Sequence, residues 1–287
     1  MIPANPRGYC HGVVTAMRMA REVVAQANGP VYMLGYLVHN EHLTSELEEL
    51  GITLIDADDR LAGLEEVREG TVIFTAHGIS PAVRELARAK GLDCVDTTCS
   101  DVDSTHALIV EKVAAGFQVI YVGRRGHPEA LGCVGEAPDA VHLVQDVDDV
   151  QALTINASKI AVTTQTTLSV WDTATVIRAI KARYPEAEVH NEICLATQDR
   201  QEAVIAAAAE ADLVLVVGSS RSSNSRRLVE VAEQRTGKPA YLVDSTTDIN
   251  PEWLRGCAAV AVSSGASTPS LLTRDVIRHL EALLVTG

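Results

Sequence analysis

Three times along the chain a cysteine stands at the head of a run with the 3.6-residue apolar period of an amphipathic helix. After Cys10, the positions Val13, Met17, Ala20 and Val24 share one face of a helix predicted over Val13–Gln26. After Cys99, Val102, Ile109 and Val113 do the same, with Ser100 and Asp103 as the expected capping pair. Cys194 opens the third run, "LATQDRQEAVIAAAAEA". Each helix gives way to an apolar strand with a polar end: "PVYMLGYLVHN" (30–40), "QVIYVGRRGHPE" (118–129) and "DLVLVVGSSRSSNS" (212–225). A helix, a short strand ("ITLI", "VHLV", "AYLV") and an acidic connector follow each time. Then comes a further strand with a polar end: "TVIFTAHGIS" (71–80), "KIAVTTQTTLS" (159–169) and "AAVAVSSGAST" (258–268). A helix closes each unit.

The spacing supports an internal triplication. Cys10 and Cys99 are 89 residues apart, and Cys99 and Cys194 are 95 apart. His39, His127 and Ser223 fall 29, 28 and 29 residues after the first, second and third of these cysteines. The expected units are 1–93, 94–188 and 189–287. Alternating strands and helices predict an α/β fold of parallel sheets flanked by helices. Ligands of such sheets bind beyond the carboxyl ends of the strands, where every polar station lies. Three similar units about a pseudo-threefold axis would gather those ends, and three thiols, at one centre.

Composition narrows the function. The chain has 287 residues, 47% of them apolar and only 3% aromatic, as in a globular protein with a core of small aliphatics. The net charge of −14 argues against a nucleic-acid partner, which demands a basic surface. Apolar runs such as "AVIAAAA" (203–209) are too short to span a bilayer, and no secretory signal pattern opens the chain. A cytoplasmic protein is expected, with six cysteines that serve as thiols or metal ligands rather than disulfides.

A single cysteine is most simply a small core residue. That reading suits Cys94, Cys133 and Cys257, which have no counterpart in the repeat. Cys10, Cys99 and Cys194 instead occupy one station before a helix, where the helix N-terminus favours a thiolate. Structural zinc would want a fourth ligand and close CxxC pairs, which are missing. Three soft thiolates suit an iron–sulfur cluster, and a [4Fe–4S] cluster on three cysteines keeps one iron open for chemistry.

The remaining stations indicate an anionic substrate. His39, His77 and His127, with Asn40, Thr166, Ser222, Ser223, Asn224, Ser264 and Ser267, offer many neutral donors and few fixed charges, a set suited to a phosphate or diphosphate. "SSNS" precedes a helix, so it can cap and bind at once. His42, His106, His142, His190 and His279 are read as structural histidines. Glu129, two residues after His127, is the candidate proton donor, its proton kept by a low local dielectric.

The motifs "NPRGYCHGV", "VHN", "AHG", "TTCSDV", "GHPEALG", "TQTTLSV", "ICLATQDRQEA", "SSNSRRL" and "SSGASTP" resemble, in order, those of the 4-hydroxy-3-methylbut-2-enyl diphosphate reductase family. The likeness runs from Asn5 to about Pro269. It implies a trefoil of three α/β domains around an iron–sulfur cluster held by Cys10, Cys99 and Cys194. It implies a diphosphate site of His39, His77, His127, Ser222, Ser223, Asn224 and Ser267, with Thr166 and Glu129 serving the allylic hydroxyl. The reaction implied is a two-electron reductive dehydroxylation to isopentenyl and dimethylallyl diphosphate, fed by a ferredoxin or flavodoxin. His11, Ser100, the Arg124–Arg125 pair near the site and Cys133, six residues after His127, depart from the family pattern. The alternatives are a diverged paralogue or a cluster-dependent hydro-lyase acting on another allylic diphosphate.

Overall fold

The structure, a computed structural model, describes residues 1–286. In chain order it begins with β1 (Ile2–Pro3), α1 (His11–Gln26), β2 (Val31–Leu34), α2 (Glu41–Glu49), β3 (Ile52–Ile55), α3 (Arg60–Glu65), β4 (Thr71–Phe74), α4 (Pro81–Ala89) and β5 (Asp93–Asp96). There follow α5 (Ser100–Ala114), β6 (Gln118–Val122), α6 (Pro128–Gly135), β7 (Val141–Val144), α7 (Val147–Ala152), β8 (Ile160–Thr164), α8 (Val170–Arg183) and β9 (Glu188–Val189). The last stretch holds α9 (Leu195–Ala209), β10 (Leu213–Val217), α10 (Ser223–Thr236), β11 (Ala240–Val243), two 3-10 turns, β12 (Val260–Ser264) and α11 (Ser270–Thr286).

The strands form three four-stranded sheets in the orders β3-β2-β4-β5, β7-β6-β8-β9 and β11-β10-β12-β1. Every pairing is parallel. Parallel neighbours need long crossovers, which the intervening helices supply. Strands covered on both faces read as unbroken apolar runs, and β10 (Leu-Val-Leu-Val-Val) is buried along its whole length.

Register repeats with the order. Leu34 lies opposite Ile55 and Phe74, Val122 opposite Val144 and Thr164, and Val217 opposite Val243 and Ser264. The next residue in each case is a glycine, and Gly35, Gly123 and Gly218 donate their N–H groups to Ile55, Val144 and Val243. Five residues past Leu34, Val122 and Val217 stand His39, His127 and Ser222.

The fourth strand of each sheet is polar or very short, and its pairing differs from a simple unit-by-unit reading. β5 (Asp-Cys-Val-Asp) and β9 (Glu-Val), which lead into Cys99 and Cys194, join the sheets before those cysteines. β1, which leads into Cys10, joins the last sheet through Ile2 and Pro3. Cys94 therefore lies on an exposed edge strand and not in a core, whereas Cys133 is fully buried and Cys257 is partly so.

Two compact units result: Met1–Val13, Val38–Leu43 and the chain from 194 onward in one, Val14–Leu37 and Thr44–Ile193 in the other. The first holds one sheet, with a core that includes Leu213, Leu215, Val217, Val262, Val276 and Leu280. The second holds two sheets, with cores around Leu34, Val72 and Phe74, around Ile120, Val162 and Ile180, and around Ile109, Tyr121 and Cys133. Truncating a fully buried residue such as Ile109 to Ala would cost roughly 2–5 kcal/mol.

Two local expectations change. The strand predicted over 30–40 ends at Leu34, because Gly35 takes a φ of +83° and turns the chain out of the sheet. At the head of α5 the N-cap is Cys99 itself, so Ser100 is already helical and cannot cap.

Candidate functional site

In the two-sheet unit, α6 opens with His127 as N-cap and Pro128 at its first position, where the missing proline N–H costs nothing. The Glu129 N–H donates to His127 Nδ1 at 3.2 Å. A neutral His127 thus carries its proton on Nε2 and is a donor there.

The turn brings Glu129 inward, where it is 1% exposed. The Thr166 N–H donates to Glu129 Oε1 at 2.7 Å, and Thr166 Oγ1 donates to Oε2 at 2.9 Å. Tyr121, on β6, donates its hydroxyl to Oε1 at 3.3 Å. Burial pushes the carboxyl pKa up to about 7, against the pull of these hydrogen bonds and of His106. Desolvation outweighs three donors here, so the group is poised near neutrality. Burial also raises Tyr121 and the neighbouring Cys133 thiol, so both stay neutral.

Two further candidates share this neighbourhood. The His77 ring meets the His127 ring edge-on with centroids 5.6 Å apart, and His77 Nδ1 lies 3.3 Å from Thr75 Oγ1. The Cys99 N–H donates to the carbonyl of Ala76, the residue before His77, at 3.1 Å. Cys99, His77, His127, Glu129 and Thr166 therefore form one continuous set at the carboxyl ends of β4, β6 and β8. Arg125 is not part of it. Its guanidinium pairs with Asp149 at 2.5 Å and is largely exposed.

In the other unit, Cys10 and Cys194 are tied through Arg200 on α9. Arg200 is 4% exposed. Its guanidinium donates to Gly8 O (2.6 and 3.0 Å), Tyr9 O (3.0 Å) and Ala196 O (2.6 Å). Burial draws its pKa down from the ordinary value, while Cys10, Cys194 and then Asp199 push it back. Arg200 is thus a buried cation beside two of the candidate ligand cysteines, placed to offset the negative charge that metal binding would put on them.

A chain of hydrogen bonds continues from there. Cys194 Sγ donates to Thr197 Oγ1 (3.1 Å), and Asn224 Nδ2 donates to the same oxygen (3.4 Å). Asn224 Oδ1 accepts the Ala266 N–H (3.0 Å), and Ala266 O accepts the Cys10 N–H (3.2 Å). Ser222 caps α10 by accepting the Ser225 N–H (3.2 Å), as "SSNS" predicts, and Ser223 and Asn224 are buried behind it. The Ser267 hydroxyl donates to His39 O at 3.2 Å. The Ser264 hydroxyl is buried.

Thr197, Arg200 and Tyr121 were not visible as site residues in sequence. Thr197 is three residues after Cys194, one helical turn on, so helix spacing could have found it. Arg200 stands out only as a lone cation beside the apolar stretch of α9. Tyr121 sits in an apolar strand and carries no signal.

A family profile described as "LytB protein" matches residues 1–281. The chain is 55% identical over 284 residues to a 4-hydroxy-3-methylbut-2-enyl diphosphate reductase of Symbiobacterium thermophilum, covering 98% of this chain and 96% of that one. It is 51% identical over 283 residues to the protein of the same name from Halalkalibacterium halodurans, covering 98% and 90%. Among solved structures, the E-1-hydroxy-2-methyl-but-2-enyl-4-diphosphate reductase of Plasmodium falciparum matches with a TM-score of 0.91 at 34% identity, over 96% of this chain and 86% of that one.

Proposed function

The chain belongs to the LytB protein family, and from that premise we propose that it is a 4-hydroxy-3-methylbut-2-enyl diphosphate reductase, the terminal enzyme of the non-mevalonate isoprenoid pathway. The reaction replaces an allylic hydroxyl by hydrogen. Two electrons and two protons enter, one water leaves, and isopentenyl or dimethylallyl diphosphate results.

The family carries an iron–sulfur cluster. The donors of this chain fit one: three thiols at the heads of α1, α5 and α9, and a buried guanidinium facing two of them. We assign Cys10, Cys99 and Cys194 as the ligands of a [4Fe–4S] cluster. When bound, the cluster supplies the electrons and an open Lewis-acidic position beside the substrate. The three-unit partition 1–93, 94–188 and 189–287 is part of the same proposal: the strand order recurs in each sheet and supports three units, while β1, β5 and β9 pair across those bounds.

The single observation that carries the reading is Glu129, buried, gripped by Thr166 and poised at about 7. Such a carboxyl holds a proton at neutral pH and can still release it. Glu129 delivers protons to the allylic group, with the Thr166 hydroxyl as the adjoining link. His39, His77, His127, Ser222, Ser223, Asn224 and Ser267 bind the diphosphate through neutral or switchable donors, matching an anion without burying fixed charge. Electrons come from a reduced ferredoxin or flavodoxin in the cytoplasm. Among the described residues, no helix is long and apolar enough to cross a membrane.

The test is an anaerobic assay with 4-hydroxy-3-methylbut-2-enyl diphosphate and a reduced donor, run on the protein and on Glu129→Gln. The protein should turn over, and the variant should lose about 100-fold or more of kcat with an unchanged cluster spectrum. Full activity in the variant removes Glu129 from its role.

A further inference from the structure

Sequence alone reads His106 as an ordinary structural histidine, and three observations speak against that. It lies on α5, two turns after Cys99, and is 8% exposed. Its Nδ1 sits 2.6 Å from Oε1 of Glu136, the C-cap of α6 two turns after Glu129. Its Nε2 is buried with no hydrogen-bond partner among the described residues. An orphaned buried nitrogen weakens the fold, and an apolar side chain would fill the space without it. Stability does not account for an imidazole here.

The packing around the ring shows what it contacts. A Cβ at Gly78 would lie 2.7 Å from His106 Nε2, and a Cβ at Gly132 would lie 3.3 Å from its Cε1 and 3.4 Å from the Gly78 carbonyl carbon. Gly78 follows His77, and Gly132 is three residues after Glu129 on α6. Gly132 is inside a helix without a positive φ, where alanine is the better residue, so the space taken by the ring explains it. The imidazole thus meets the loop of one candidate diphosphate ligand and the helix of another.

We infer that His106 is a positioning residue: tied to Glu136 and seated against Gly78 and Gly132, it fixes the helix carrying His127 and Glu129 against the loop carrying His77. The inference rests on the reading of Glu129 as proton donor. The titratable groups facing His106 are Glu136 and Glu129 from α6 and Asp103 from its own helix. Those facing Glu129 are Tyr121 from β6, Cys133 from its own helix, and His106. His106 holds the Glu129 carboxyl below the value burial alone would give. Its removal should therefore raise the midpoint of that carboxyl.

The experiment uses cluster-loaded protein carrying His106→Asn or Gly132→Ala. Infrared titration follows the Glu129 carboxyl band, assigned by its loss in Glu129→Gln. In His106→Asn, kcat should fall about 10- to 100-fold at unchanged iron content, because small misplacements of a proton donor are costly. The carboxyl midpoint and the alkaline limb of kcat should move together to higher pH. In Gly132→Ala, the added methyl group crowds the imidazole and the Gly78 backbone, so kcat should fall at unchanged iron content. Wild-type kcat and an unmoved midpoint in His106→Asn overturn the inference. If that variant does not fold, wild-type kcat in Gly132→Ala overturns it. Should the unmodified protein fail to turn over, the reductase reading falls, and the infrared midpoint still decides the claim about His106.

Discussion

Glu129 is held between two opposed forces, and the balance is measurable in stability as well as rate. Its folded pKa of about 7 is above the ordinary 4.5. Between those values the folded state binds a proton that the unfolded state has released, so stability falls as pH rises through this window. The full loss is about 3 kcal/mol, at about 1.4 kcal/mol per unit. Glu129→Gln does not titrate, and Thr166 Oγ1 can turn to accept from the new amide. The variant should therefore gain roughly 3 kcal/mol on the wild type between about pH 4 and pH 8, read from denaturant midpoints at each pH. A parallel pH dependence in the two proteins would mean the carboxyl is not poised. Turnover that needs the protonated acid should decline above about pH 7. Sequence could nominate Glu129 from its place after His127. It could not reveal Tyr121 or the double grip of Thr166, because these depend on the approach of β6 and the loop after β8.

Among the elements, the helices headed by cysteines were plain from their periodicity, and the short strands at 52–55, 141–144 and 240–243 match "ITLI", "VHLV" and "AYLV". The edge strands β1, β5 and β9 were not legible. Two to four residues, several of them charged, carry no alternation, and only the neighbouring strand recruits them. Nor was the tie between α9 and the Cys10 loop, which Arg200 makes through the carbonyls of Gly8 and Tyr9. Arg200→Met would strand those carbonyls and leave the Cys10 and Cys194 thiols without their cation. We expect a loss of about 3 kcal/mol in stability and a fall in bound iron and sulfide. Arg200→Lys keeps the charge but not the fork, and should fall between. Wild-type iron content in Arg200→Met would show that the guanidinium does not support the thiolates.

On the scale of the whole molecule, the three sheets share one strand order, and each helix that follows a fourth strand starts beside a cysteine. That repetition was readable in the spacing of Cys10, Cys99 and Cys194, since parallel α/β units leave their polar residues at equivalent strand ends. If the three thiols serve one cluster, any single Cys→Ser change should remove most of the iron. A change at Cys94, on its exposed edge, should remove none. Retention of full iron in Cys99→Ser would break the assignment. The central claim is that electrons and protons, not water chemistry alone, remove the hydroxyl. Counting electrons against product in one anaerobic reaction tests it most directly. Two electrons consumed for each isopentenyl or dimethylallyl diphosphate formed is the predicted result. Loss of the substrate hydroxyl with no electrons consumed, or no turnover by cluster-loaded protein, would contradict it.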